Sequence, residues 1–179
     1  MIPENVETIG QTSIGYNGPY YHPGDSVTKV TIPDSVKHID YNAFSYCDEL
    51  QEVIVPTDLT DIKEAAFEGC KKLADEDGFI IVNGMLFDYI KDESDIVIPS
   101  RVNHIMGGFI IRCIFNHERG INSKKKLRFH IPSSVAKVDV KDRFGSPYGP
   151  RLNKITFIGT KDSIVEKVAL ENGIDFKTE

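Results

Sequence analysis

The chain has 179 residues, enough for one domain with a buried core, and its 40% hydrophobic and 27% charged content is ordinary for a globular fold. A formal net charge of -6 offers no basic face for nucleic acid, and no segment approaches the ~20 apolar residues of a membrane-spanning helix. Three cysteines, Cys47, Cys70 and Cys113, are too few and too odd in number for a disulfide framework.

Met1-Ile2-Pro3-Glu4 enters a polar stretch with neither the basic nor the apolar region of a secretory signal. That reading leaves a cytoplasmic protein, or one whose leader has been removed. After Pro3, apolar residues fall at Val6 and Ile9. Residues 11–25 interrupt the pattern and carry Tyr16, Tyr20 and Tyr21, a candidate contact segment that either covers the N-terminal end or leaves it to a partner chain. The pattern resumes with Val30 and Ile32 before Pro33, Val36 and Ile39 after it, then Ala43-Phe44 and Cys47. Twenty-three residues on it returns as Val53, Val55, Pro56, Leu59, Ile62, Ala66-Phe67 and Cys70.

Residues 74–95 break the series. FIIV and MLFDY flank Asn83-Gly84, a two-residue turn signal in which both central positions take positive φ. The spacing predicts a β-hairpin that protrudes from the array or lies against it. Acidic residues bracket it, Asp75, Glu76 and Asp77 before and Asp92, Glu93 and Asp95 after. They are candidate calcium ligands by charge, but their spacing matches no standard calcium loop, and the simpler reading is two solvated loop ends.

The pattern continues through Ile96, Ile98, Pro99, Val102 and Ile105, with Gly108-Phe109 displaced by one residue. Residues 110–128 form a longer excursion whose basic run, Lys124 to Lys126, reads as a solvated loop. Phe129, Ile131, Pro132, Val135, Val138 and Phe144 form a further copy, and Leu152-x-x-Ile155-x-Phe157 repeats the strand without a proline. The tail from residue 159 predicts a helix with a capping box from Ser163 to Glu166 and Gly173 past its last turn. Ile164, Val165, Val168 and Ala169 form its apolar stripe.

Five of the nine prolines therefore anchor P-x-x-[VL]-x-x-[IV]. Apolar alternation before each proline predicts a short strand with one buried face. The proline ends that strand and turns the chain. The next two apolar anchors point inward, and A-F-x-x-C supplies a turn that fills the wedge. One unit cannot bury its apolar side alone, so the units stack, like strands forming a parallel sheet ~4.8 Å apart.

The unit L-x-x-[IV]-x-[IV]-P-x-x-V-x-x-I-x-x-x-A-F-x-x-C-x-x-L resembles the BspA-like leucine-rich repeat. Residues 50–73, LQEVIVPTDLTDIKEAAFEGCKKL, match it almost position for position; 27–50 match nearly as well, and coverage runs from residue 2 to about 158. The resemblance implies an α/β, β-rich solenoid, a right-handed coil with a parallel sheet, and the residues add an inserted β-hairpin and a C-terminal capping helix. Together they predict a single domain over 1–179, with repeats to 158, the hairpin at about 74–95 and the cap at 159–179. Repeats of this family occur in bacterial surface proteins and some protozoa, where they serve adhesion and protein binding without enzymatic activity. The implied partner is a protein, for instance a host matrix or surface protein, and the implied place is the cell surface or outside the cell. A cytoplasmic scaffold using the same surface is the alternative if Met1 is the native start. No cofactor or metal is implied, and the oligomeric state is left open.

Other chemistry is sparse. Cys47 and Cys70 occupy equivalent positions on adjacent coils, where in-register side chains point the same way and suit core filling better than a disulfide. Cys113 and His117 share one face if their segment is helical, a candidate nucleophile and base for an enzyme. No orienting acid accompanies them at a recognisable spacing. His38 and His104 precede inward isoleucines and are expected to face solvent. The residues between buried strand positions must point outward. They are Lys29 and Thr31, Glu52 and Ile54, Asp95 and Val97, Arg128 and His130, and Lys154 and Thr156. Stacked, they form one column of alternating charge and one of β-branched residues with a histidine, the candidate partner-binding face.

Overall fold

The computed structural model describes residues 2–11, 13–14, 26–59, 61–119, 126–140 and 152–179. Tyr16, Tyr20, Tyr21, Lys124 and Phe144, each singled out from the sequence, lie outside them. The chain divides into two compact units, Met1–Asn83 with Phe87–Ile90 and Gly84–Leu86 with Lys91–Glu179.

In the first unit the strand before each proline forms as the alternation requires. β2 (Lys29–Thr31) and β4 (Glu52–Ile54) pair in parallel with Val30 beside Val53. Each proline then opens a β-turn, its carbonyl accepting from the residue three positions on: Val6 to Pro3 at 3.2 Å, Val36 to Pro33 at 3.0 Å, Leu59 to Pro56 at 3.2 Å. The missing proline N–H is no loss there, because only the carbonyl is used. The chain enters a second ladder, in which β1 (Thr8–Ile9), β3 (His38–Ile39) and β5 (Asp61–Ile62) pair in parallel with Ile9, Ile39 and Ile62 in register.

The A-F-x-x-C segments close each coil as hydrogen-bonded turns. Phe44 N–H donates to Ala66 O at 2.8 Å, joining one coil to the next. These turns enter the left-handed region at equivalent positions: Asn42 and Ala65, both at φ 57°, and Tyr46 and Gly69, at 57° and 73°. Gly69 answers a second demand, since a Cβ there would lie 2.6 Å from the Tyr46 ring. Phe44 and Phe67 stack beneath, and Cys47 and Cys70 are buried and form no disulfide, as core filling predicts. Cys70 donates to Phe44 O at 3.0 Å. Its hydrogen bond with Cys47, together with burial, pushes the Cys70 thiol far above its usual range.

The hairpin forms at Asn83-Gly84, with φ 49° and 75°, between β6 (Phe79–Val82) and β7 (Met85–Tyr89). It is no protruding arm. Every residue of β7 is buried. In the first unit its later part places Asp88 in the core, where the carboxylate accepts from Tyr89 N–H at 2.9 Å and Gly69 N–H at 3.3 Å.

In the second unit Met85 and Leu86 pair in parallel with His104 and Ile105 of β9 (His104–Ile105), and β11 (Lys137–Val138) adds to the other side. The hairpin thus supplies a rung where an ordinary coil would. Beside this ladder runs a four-stranded parallel sheet: β8 (Asp95–Val97), β10 (Leu127–His130), β12 (Ile155–Gly159) and β13 (Asp175–Thr178) in that order. Phe109, Phe129 and Phe157 form an edge-to-face series with centroids 5.7 and 6.0 Å apart.

Part of the excursion after Phe109 is helical: α1 spans Gly107–Arg119 and buries Phe109, Ile110, Cys113 and Ile114. The tail helix, α2 (Ile164–Asn172), has its capping box: Ser163 Oγ accepts from Glu166 N–H at 3.3 Å and the Glu166 carboxylate accepts from Asp162 N–H at 2.6 Å. Gly173, at φ 66°, closes it. Its buried seam is Val165 and Ala169, with Val168 half-buried and Ile164 exposed rather than in the stripe. Past α2 the chain runs out as β13, parallel to β12, a strand the sequence reading did not include.

The last rung also differs in register. Phe157 lies beside Phe129 and Thr156 beside Arg128, so β12 sits two residues from the alignment that paired Ile155 with Phe129. The shift keeps each side chain on its expected face, because the strand period is two. Large aromatic against large aromatic sets the register where no proline does.

Candidate binding face

In the first unit the outward residues of β2 and β4 are those expected. Lys29 Nζ and Glu52 Oε2 lie 2.8 Å apart, while Thr31 sits beside Ile54, which is 43% exposed. Ion pairs recur here at the interval of the repeat. Lys29 and Glu52, His38 and Asp61 (2.6 Å), and Glu49 and Lys72 (2.6 Å) are each joined across equivalent positions of successive coils. Lys63, 2.6 Å from Asp61, is the main cause holding the Asp61 carboxyl below its ordinary range, with His38 adding to it.

In the second unit Arg128 straddles Asp95, Nε to Oδ1 at 3.2 Å and Nη2 to Oδ2 at 2.5 Å, a two-point contact that only guanidinium makes. Arg128, and then His130 at 2.8 Å from Oδ1, keep the Asp95 carboxyl below its usual range. Val97, in the second column, is 67% exposed. His130 is half-buried and lies 3.9 Å from the Glu179 carboxylate.

Two expected members of the face are displaced. Thr156 is 3% exposed. β13 makes β12 an interior strand, so the short threonine lies between the longer residues Arg128 and Asp175, and the Lys126–Asp175 ion pair reaches across β12. Lys154 precedes β12 and pairs with Glu118 of α1 at 2.7 Å instead of continuing the charged column. The positions next to Arg128 and His130 belong to Thr156 and half-buried Ile158, and the face continues through Asp175 and Lys177. His104 does not face solvent as expected: it is half-buried, with Nε2 2.6 Å from Asp139 Oδ2.

Cys113 and His117 lie one turn apart on α1, as their spacing requires, and are 6% and 7% exposed. Two of the acidic residues at the hairpin feet hold partners. Asp75 Oδ1 accepts from Phe79 N–H at 2.9 Å, and Asp95 holds Arg128 and His130. Among the described residues no group of three or more His, Cys, Asp or Glu is placed to hold a metal ion, and no helix is long and apolar enough to cross a membrane.

The family model described as BspA type leucine rich repeat region matches residues 12–131, in 6 copies. No curated protein and no solved structure matches the chain.

Proposed function

Because the chain belongs to the BspA-type leucine-rich repeat family, we propose that it is a non-enzymatic protein-binding module of the adhesion type that works at the cell surface or outside the cell. It engages its partner through the outward faces of its paired strands. The observation that carries this reading is the pairing of exposed apolar and charged side chains on short, rigid ladders. Ile54 stands beside the Lys29–Glu52 pair, and Val97 beside the Asp95–Arg128–His130 cluster. An apolar anchor with a charged surround suits a protein surface: the anchor gives up its contact with water, and the charges select the partner. Ion pairing within each column also holds the long side chains in place, so less rotamer freedom is lost on binding.

Capture of matrix and surface proteins by the immobilised chain tests this reading. Ile54→Asp, Val97→Asp, Glu52→Lys and Arg128→Glu are expected to weaken capture at least tenfold with little change in Tm, because exposed side chains and exposed ion pairs contribute little to folding. Capture that survives all four substitutions would place binding on another surface.

A further inference from the structure

We propose that the open edge of β13 pairs with β13 of a second copy of this chain, antiparallel across a two-fold axis centred on Phe176. Among the described residues β12 is the one strand hydrogen-bonded to β13. Glu179 donates its N–H to Gly159 O at 3.2 Å, back toward β12. Backbone groups alternate sides along a strand, so Asp175, Lys177 and Glu179 use theirs on β12. The N–H and C=O of Phe176 and Thr178 therefore point to the open side.

Those two residues define the register. With Phe176 on the axis, each Phe176 donates to and accepts from its mate, the hydrogen-bonded pair of an antiparallel ladder; at the next such position Thr178 N–H donates to the mate's Ile174 O alone, because Ile174 N–H is held by Ala169 O at 2.9 Å. The neighbouring position brings Asp175 opposite Lys177 of the other copy, twice by symmetry, in the non-hydrogen-bonded pairing where side chains approach most closely. The segment Asp175-Phe176-Lys177 is therefore complementary to itself and opposed to a strand carrying like charges at those positions. Lys126 holds Oδ2 of Asp175, which leaves Oδ1 for a second lysine, and Lys177 forms no ion pair among the described residues. Phe176 is half-buried at this edge, and a matching phenylalanine would complete its cover. Natural edge strands are commonly blunted by proline, a bulge or an inward-pointing charge; β13 has no proline and turns an aromatic ring inward.

The test is the mass of the full chain by light scattering and sedimentation as concentration is raised. We expect a reversible dimer of twice 20.1 kDa. Lys177→Asp and Asp175→Lys each set like charges opposite one another, and each should weaken dimerisation about tenfold or more. An equimolar mixture of the two variants restores both opposite-charge pairs and should dimerise as the unaltered chain does, a rescue that misfolding of either variant cannot mimic. Exchange of the Phe176 and Thr178 amide protons in the unaltered chain should slow as concentration rises, a readout that needs no substitution. A monomer at every concentration, open-ended assembly, dimerisation untouched by the single variants, or failure of the mixture to recover it would each overturn the proposal.

Discussion

The rings of Phe44 and Phe67 lie with centroids 5.1 Å apart and planes within 5° of parallel, one directly over the other on successive coils. Phe67 also meets Phe87 edge-on at 5.4 Å and is fully buried, so it holds two neighbours at once. Phe67→Ala should destabilise the first unit by about 3–5 kcal/mol, since the transferred ring area and the cavity it leaves both count against folding. Urea unfolding followed by circular dichroism measures this. A loss below about 1 kcal/mol would mean that the stack closes up after truncation and is not the central contact of the coil.

His104 and Asp139 supply a pH dependence with a definite sign. Burial alone would push the Asp139 carboxyl up, but the hydrogen bond from His104, followed by the charges of His104 and Lys137, holds it below the ordinary 3.8. A carboxylate depressed in the folded state contributes stability above its unfolded value, and that contribution disappears as pH falls through the lower folded value. Asp139→Asn should therefore be less stable than the unaltered chain near about pH 5, and the difference should shrink as acid is added below about pH 4. Urea midpoints across that range test it, and a gap that widens on acidification would reverse the assignment.

Ala65 sits at φ 57° where Asn42, one coil earlier, has the same φ. A left-handed conformation is tolerated by asparagine and glycine but strains an alanine through its Cβ. Ala65→Gly should stabilise the protein by roughly 0.5–1 kcal/mol, and Ala65→Val should destabilise it by more. Thermal unfolding of the two variants checks both signs. A glycine variant less stable than the parent would show that relief of strain is smaller than the extra freedom glycine gives the unfolded chain.

The outward face could be read from the sequence as far as proline marked each copy. Lys29, Thr31, Glu52, Ile54, Asp95, Val97 and Arg128 are exposed where a strand of period two ending at Pro33, Pro56, Pro99 or Pro132 places them. Lys154 and Thr156 depart from that placement, because no proline fixes the register there and Phe157 aligns with Phe129 instead. Asp175 and Lys177 carry no such mark. Asp175-Phe176-Lys177-Thr178 has one apolar residue in four, and it forms a strand because α2 returns it beside β12. The matched spacing of Lys29–Glu52, His38–Asp61 and Glu49–Lys72 was legible once the 23-residue interval was known, had opposite charges been sought at that interval as apolar residues were.

Periodicity settled which side chains point inward in each coil, where the chain turns, and how α2 starts and stops, because these follow from local backbone geometry and from the solubility of single residues. What joins a rung to its neighbour is a different matter. The packing of Phe129 against Phe157, the use of Met85 and Leu86 as a rung, the burial of Thr156 and the helical winding of Gly107–Arg119 depend on surfaces supplied by residues distant in the chain. A weak local preference yields there to whichever arrangement removes the most apolar area from water.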